Sequence, residues 1–114
     1  MIQCKRLYDD ASKEDGYRIL VDRLWPRGVK KTDLACDEWC KVLAPSGELR
    51  KAFHSETIDF ASFSKAYQQE LEENVEEGKR IARLADKQRV TLLYGAKDRE
   101  QNHAQVLAAW LRRL

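Results

Sequence analysis

Apolar residues follow two rhythms along this chain. Ile19, Leu20 and Val21 stand in succession within Tyr17 to Leu24, and Val90, Thr91, Leu92, Leu93 and Tyr94 form a second short run. Unbroken runs of this kind predict strands covered on both faces. Trp25, Pro26 and Gly28 end the first, and Gly95 ends the second. Ile2 to Tyr8 predicts another strand, interrupted by the charged Lys5 and Arg6. Elsewhere the period is helical. Behind Asp59, an N-cap, Phe60, Phe63, Tyr67 and Leu71 fall on one stripe. Asn74 and Glu77 have capping-box spacing and start a helix with Ile81, Leu84 and Ala85 inward, so the two helices read as a kinked pair. His103, Val106, Leu107, Trp110, Leu111 and Leu114 predict a last helix, with Arg112 and Arg113 at the negative end of its dipole. Pro45 and Ser46 open a shorter helix through Phe53, and Asp33 to Val42 predicts another with Leu34 and Trp39 inward. Asp9 to Gly16 is polar and carries at most a helical turn. The expected fold is α/β: a single small domain spanning residues 1–114, with a three-stranded, mostly parallel sheet flanked by helices.

Composition narrows the function classes. A chain of 114 residues holds about one core. Charged residues are 35% of the sequence, but the net charge is only +2. A balance of this kind gives no support for nucleic acid or an anionic membrane as partner. The N-terminus lacks the apolar core of a signal peptide and no apolar run reaches bilayer length, so a cytoplasmic protein is expected. Cys4, Cys36 and Cys40 are an odd set without a secretory signal and read as reduced thiols. On a helix Cys36 and Cys40 would share a face and His54 could join them around zinc, but the ligand spacing is incomplete, so neither metal nor cofactor is expected. Trp39 and Phe60 fit either core or interface, which leaves the oligomeric state open.

The candidate chemistry lies just past the two clearest strands. If both are parallel in one sheet, Asp22, Arg23, Arg27, Lys97, Asp98, Asn102 and His103 gather at its carboxyl edge, where open α/β sheets bind ligands. Arg23 and Arg27 suit a bidentate grip on phosphate or carboxylate, with Trp25 able to stack on a planar ring; equally, Arg23 could pair with Asp22 while Trp25 packs. Asp98 and Gln101 read as a capping pair at a helix start that could also receive an anion. His103, in the first turn, is either a satisfied core residue or a neutral ring serving as base or donor. The loop after Val90–Tyr94 contains no cysteine, which excludes thiolate catalysis there, and phosphate-loop, dinucleotide, nucleophile-elbow and zinc-protease motifs are lacking.

Taken together, DGYRILVDRLWPRG, APSGELRKAF (Ala44 to Phe53), the aromatic helix ending YQQEL and VTLLYGAKDREQNHA resemble the short, YeaO-like branch of the DUF488 family over essentially the whole chain. The resemblance implies a small α/β fold and a common site drawn from Asp22, Arg23, Trp25, Arg27, Tyr94, Lys97, Asp98, Asn102 and His103. It also implies that Tyr94 and Asn102 stand where longer relatives carry cysteines, so no redox or metal role is carried over.

Two functions fit these residues. One is an enzyme acting on a small phosphorylated or nucleotide-like substrate: Asp22 or His103 moves a proton, Lys97 stabilises developing charge, and Arg23, Arg27, Trp25, Asn102, Asp98 and Tyr94 line the anion site. The other is a non-catalytic module that holds an anionic metabolite or a partner's acidic segment with the same arginines.

Overall fold

A computed structural model describes all residues, Met1 to Leu114. Its strands are β1 (Ile2–Arg6), β2 (Tyr17–Leu20), β3 (Glu38–Trp39) and β4 (Val90–Tyr94). They form one sheet in the order β1-β4-β2-β3. Every pairing is parallel, with Cys4 opposite Leu92, Ile19 opposite Leu92, and Leu20 opposite Trp39. The helices are α1 (Gly47–His54), α2 (Phe60–Glu72), α3 (Val75–Lys87) and α4 (His103–Arg112), with 3-10 turns at Lys13–Asp15 and Lys41–Leu43. No helix is long and apolar enough to cross a membrane.

The fourth strand lies where the sequence predicts a helix. Asp33 to Val42 is instead a loop, the two-residue β3 and the start of a 3-10 turn. The backbone of this segment pairs with β2: the Asp37 N–H donates to Arg18 O at 2.8 Å and the Cys40 N–H to Leu20 O at 2.9 Å. Strand pairing satisfies these groups, and the poorly capped helix loses. Cys36 and Cys40 therefore share no helix face.

Strand alternation builds two unequal cores. Ile19, Val21, Leu92 and Tyr94 point to one face and join Phe63, Tyr67, Ile81, Leu107, Trp110 and Leu111 from the helices. Leu20 and Leu93 point to the other face, where Leu7 and Leu34 cover them with Trp25, Val29, Cys36 and Trp39 around the rim. The apolar runs are buried on both sides, as expected, but the second cover is the segment between β2 and β3 rather than a helix. Further toward the amino end of that face, buried Thr91 donates to Asp15 O at 2.6 Å and accepts from Gln3 at 2.8 Å. Asp15 there meets Lys5 at 3.1 Å and Arg18.

The helix starts largely match their sequence signals. Ser46 accepts from the Leu49 N–H at 3.2 Å and Asp59 from Ser62 at 2.8 Å. Asn74 is the exception. It precedes α3 without capping it, because its amide turns back to Glu70 O at 3.4 Å while Glu77 pairs with Arg80 at 2.5 Å.

Candidate functional site

Parallel pairing of β2 and β4 brings their carboxyl ends side by side, and the chain leaves both there in polar loops. Val21 still donates to Leu93 O at 3.0 Å, so the two strands part only at Asp22 and Gly95. The Asp22 side chain then bridges the gap. Its Oδ2 accepts from the Gly95 N–H at 2.9 Å, and Oδ1 lies 2.9 Å from Nε2 of His103, the first residue of α4. Nε2 is also 3.2 Å from Val21 O. Both neighbours are acceptors, so Nε2 carries a hydrogen. Close approach requires a glycine at position 95: an added Cβ would sit 2.9 Å from the Asp22 carboxylate.

Two contiguous clefts flank this pair. The first, about 430 Å³, is lined by Asp22, Arg23, Trp25, Arg27, Arg50 and His54 among others; the second, about 940 Å³, by Phe53, Phe60, Lys97, Asp98, Gln101 and Asn102 among others. Pro45, Arg50, His54, Gly95, Ala96 and His103 belong to both. The sequence-derived residues are thus brought to one end of the sheet, but they divide: Asp22, Arg23, Trp25 and Arg27 on one side of His103, Lys97, Asp98 and Asn102 on the other. Tyr94 lines neither cleft; it is core, and burial raises its hydroxyl's pKa.

Several assigned roles change. Trp25 donates from Nε1 to Val29 O at 2.6 Å and packs edge-on against Trp39 with centroids 5.3 Å apart, so its indole locks the β2–β3 cover. Trp39 in turn donates to Asp22 O at 2.8 Å. Asp98 accepts from the Glu100 and Gln101 N–H groups at 2.9 and 3.0 Å, which hold its carboxyl below the usual range, but it caps a turn ahead of α4. The helix cap is Asn102, buried and accepting from Gln105 at 3.1 Å while donating to Asp98 O at 2.9 Å. Both residues shape the wall by holding its backbone.

The sequence reading omits Arg50 and weighs His54 only as a possible zinc ligand. They stand four apart on α1, one face of a helix, and that spacing was legible across the end of the APSGELRKAF segment and the residue after it. Arg23, Arg27 and Arg50 form no ion pair in this structure; Arg18, Arg80 and Arg99 do, while Arg6, Arg83, Arg89, Arg112 and Arg113, away from the clefts, do not. Arg50 Nε is buried without a hydrogen-bond partner. Neither cleft is lined by a serine, threonine or cysteine. Cys4 and Cys40 lie in or against the main core, and burial pushes both thiols up to about 11. Cys40 does approach Glu38 and Glu77. Arg80 already holds both carboxylates, which leaves that cluster satisfied as an ion-pair network.

A four-stranded parallel sheet with a polar cleft at its carboxyl end defines a small α/β protein built to present side chains there. The model of the family DUF488-N3i, described as the inactive DUF488-N3 subclade, matches residues 1–114, and the chain belongs to that family. It is 65% identical to "Uncharacterized protein YeaO" of Escherichia coli over 99% of this chain and 98% of that protein. It is 36% identical to "Uncharacterized protein Rv3073c" of Mycobacterium tuberculosis and to "Uncharacterized protein Mb3100c" of Mycobacterium bovis, over 96% of this chain and 92% of each of them. No solved structure matches the chain.

Proposed function

We propose that this protein is a non-catalytic module that binds a small anionic molecule, a phosphate or carboxylate ester, at the carboxyl end of β2 and β4. The observation that carries this reading is the convergence of Arg23, Arg27 and Arg50, without ion-pair partners, on one cleft beside His54 and His103. Arg50 is half-buried with its Nε unpartnered, and Arg23 and Arg27 are exposed; guanidinium groups without an internal carboxylate are free to take one from outside, or a phosphate, which accepts their forked donors in pairs. Absence of turnover is supported by the Asp22–His103 pair. The carboxylate is divided between the Gly95 amide and the imidazole, so it ties the two loops together. The walls offer neither thiol nor aliphatic hydroxyl as nucleophile. The family description, inactive, accords with this.

Binding of inorganic phosphate to the wild type and to Arg50→Met, followed by thermal shift and by amide NMR of Gly95 and Ala96, tests the proposal. Phosphate at about 100 times its dissociation constant should stabilise the wild type by about 2.7 kcal/mol, a gain of several degrees, and the variant far less. An equal response in both proteins, or none in the wild type, would refute it.

A second reading rests on the same pair. A carboxylate oxygen that has no hydrogen-bond partner and lies 2.9 Å from an imidazole nitrogen at a cleft wall has the proximity a general base requires. His103→Gln would then abolish turnover of a bound ester while leaving its affinity within about twofold.

A further inference from the structure

The second cleft adds information about what the anion is attached to, and the inference that follows rests on the anion-binding reading of the first. Three phenyl rings from α1 and α2 cluster in its wall: Phe53 and Phe63 have centroids 4.4 Å apart at 20°, Phe60 and Phe63 6.2 Å apart at 22°, and Phe53 and Phe60 5.8 Å apart at 41°. Phe63 is fully covered, but Phe53 and Phe60 are half-buried and line the cleft. A planar ring laid on the open face of Phe60 would join this cluster by the offset stacking that aromatic pairs favour.

Charge fixes the direction of any occupant. Arg23 and Arg27 lie at one end of the joined clefts and Arg50 on the wall they share; around the phenyl end three carboxylates, Glu56, Asp59 and Asp98, outnumber the one ammonium, Lys97. Asp59 and Asp98 each have an oxygen committed to backbone N–H groups, and those bonds hold both carboxyls below their usual range. Glu56 is exposed. An anion at that end would be repelled, whereas ring-edge amino groups would find acceptors. The shared wall, Arg50, His54 and His103, spans the distance between the two ends. Trp25 is not the stacking surface, because its indole is fixed against Trp39.

We infer that the occupant is an aromatic ring with hydrogen-bond donors on its edge, joined to an anionic group: a ligand of the nucleoside monophosphate class, with its phosphate at Arg23, Arg27 and Arg50 and its base on Phe60. The test is isothermal titration of the wild type with adenosine monophosphate, ribose 5-phosphate and inorganic phosphate, repeated with Phe60→Ala and with Phe60→Leu, which keeps apolar bulk but removes the π face. The base should add about tenfold or more in affinity over ribose 5-phosphate, the usual range for one base on one aromatic ring. Both variants should erase most of that gain and leave ribose 5-phosphate within twofold. If adenosine monophosphate and ribose 5-phosphate bind alike, the inference falls while the anion site stands. A preference for the nucleotide that survives Phe60→Leu overturns the placement of the ring. If none of the compounds binds the wild type, the anion reading itself has failed and takes this inference with it.

Discussion

Removing the Asp22 side chain should loosen the site more than any cleft arginine does, by an amount the geometry sets. Oδ2 accepts from the Gly95 N–H at 2.9 Å, and Oδ1 faces His103 at 2.9 Å; the side chains of Asp22 and His103 are 21% and 15% exposed. A hydrogen bond to a charged acceptor contributes about 1.5–3 kcal/mol. Asp22→Ala leaves the Gly95 N–H half-buried without an acceptor and should lower stability by about 2–3 kcal/mol. Asp22→Asn keeps a carbonyl for Gly95 but loses the charge, and about 1 kcal/mol should go. Urea unfolding monitored by tryptophan fluorescence measures both; with a slope of about 1–3 kcal/mol/M the alanine midpoint should fall by about 1 M or more, at an unchanged slope. The asparagine variant also separates structure from binding. Asp22 is a carboxylate in a cleft proposed to receive anions, so neutralising it should leave phosphate affinity equal or higher. Asparagine as damaging as alanine would refute the hydrogen-bond account, and a tenfold loss of phosphate binding in a stable asparagine variant would refute the bridging role.

Other expectations are more local. Burial works against the Asp15 carboxylate, yet the Ser12 backbone, Lys5 and Arg18 together hold its pKa below the ordinary value. A depressed folded pKa contributes stability above the unfolded value of about 3.9 and loses it as pH falls through the folded one, so Asp15→Asn should flatten the loss of stability below about pH 4, as pH-jump unfolding would read. Gly16 has φ 66°, and a Cβ there would overlap Arg89 O, which is the acceptor for the Tyr17 N–H at 2.9 Å. Gly16→Ala should therefore lower stability by about 2 kcal/mol or more in urea unfolding, and a neutral effect would contradict the crowding. Iodoacetamide at pH 8 should modify Cys36 ahead of Cys4 and Cys40, whose thiols burial pushes up to about 11; equal rates by peptide mass spectrometry would show that the core opens.

What the sequence made legible, and what it hid, follows from where each signal originates. Tyr17–Leu20 and Val90–Tyr94 were readable because a strand buried on both faces leaves no polar alternation to confuse with a helix. The gathering of Asp22 and His103 followed from parallel strands alone, since both residues lie just beyond carboxyl ends in the same sheet. Glu38–Trp39 was hidden because a two-residue strand has no period; only backbone pairing with Leu20, a long-range contact, selects it over a weak helix. Trp25 was left open between stacking on a ligand and packing because an indole beside arginines suits both, and the neighbour it packs against, Trp39, arrives from that same unforeseen strand. Arg50 was overlooked, and His54 weighed only for zinc, for a related reason. Their i, i+4 spacing is visible, but nothing local says that α1 turns this face toward the carboxyl end of the sheet rather than toward solvent. That orientation is set by the Phe53–Phe63 stack and by Ser46, whose N–H and hydroxyl both reach the Glu70 carboxylate, at 2.8 and 2.6 Å. The cationic wall of the cleft thus depends on packing between α1 and α2, so a change at Glu70, outside either cleft, should weaken anion binding by letting Arg50 swing away.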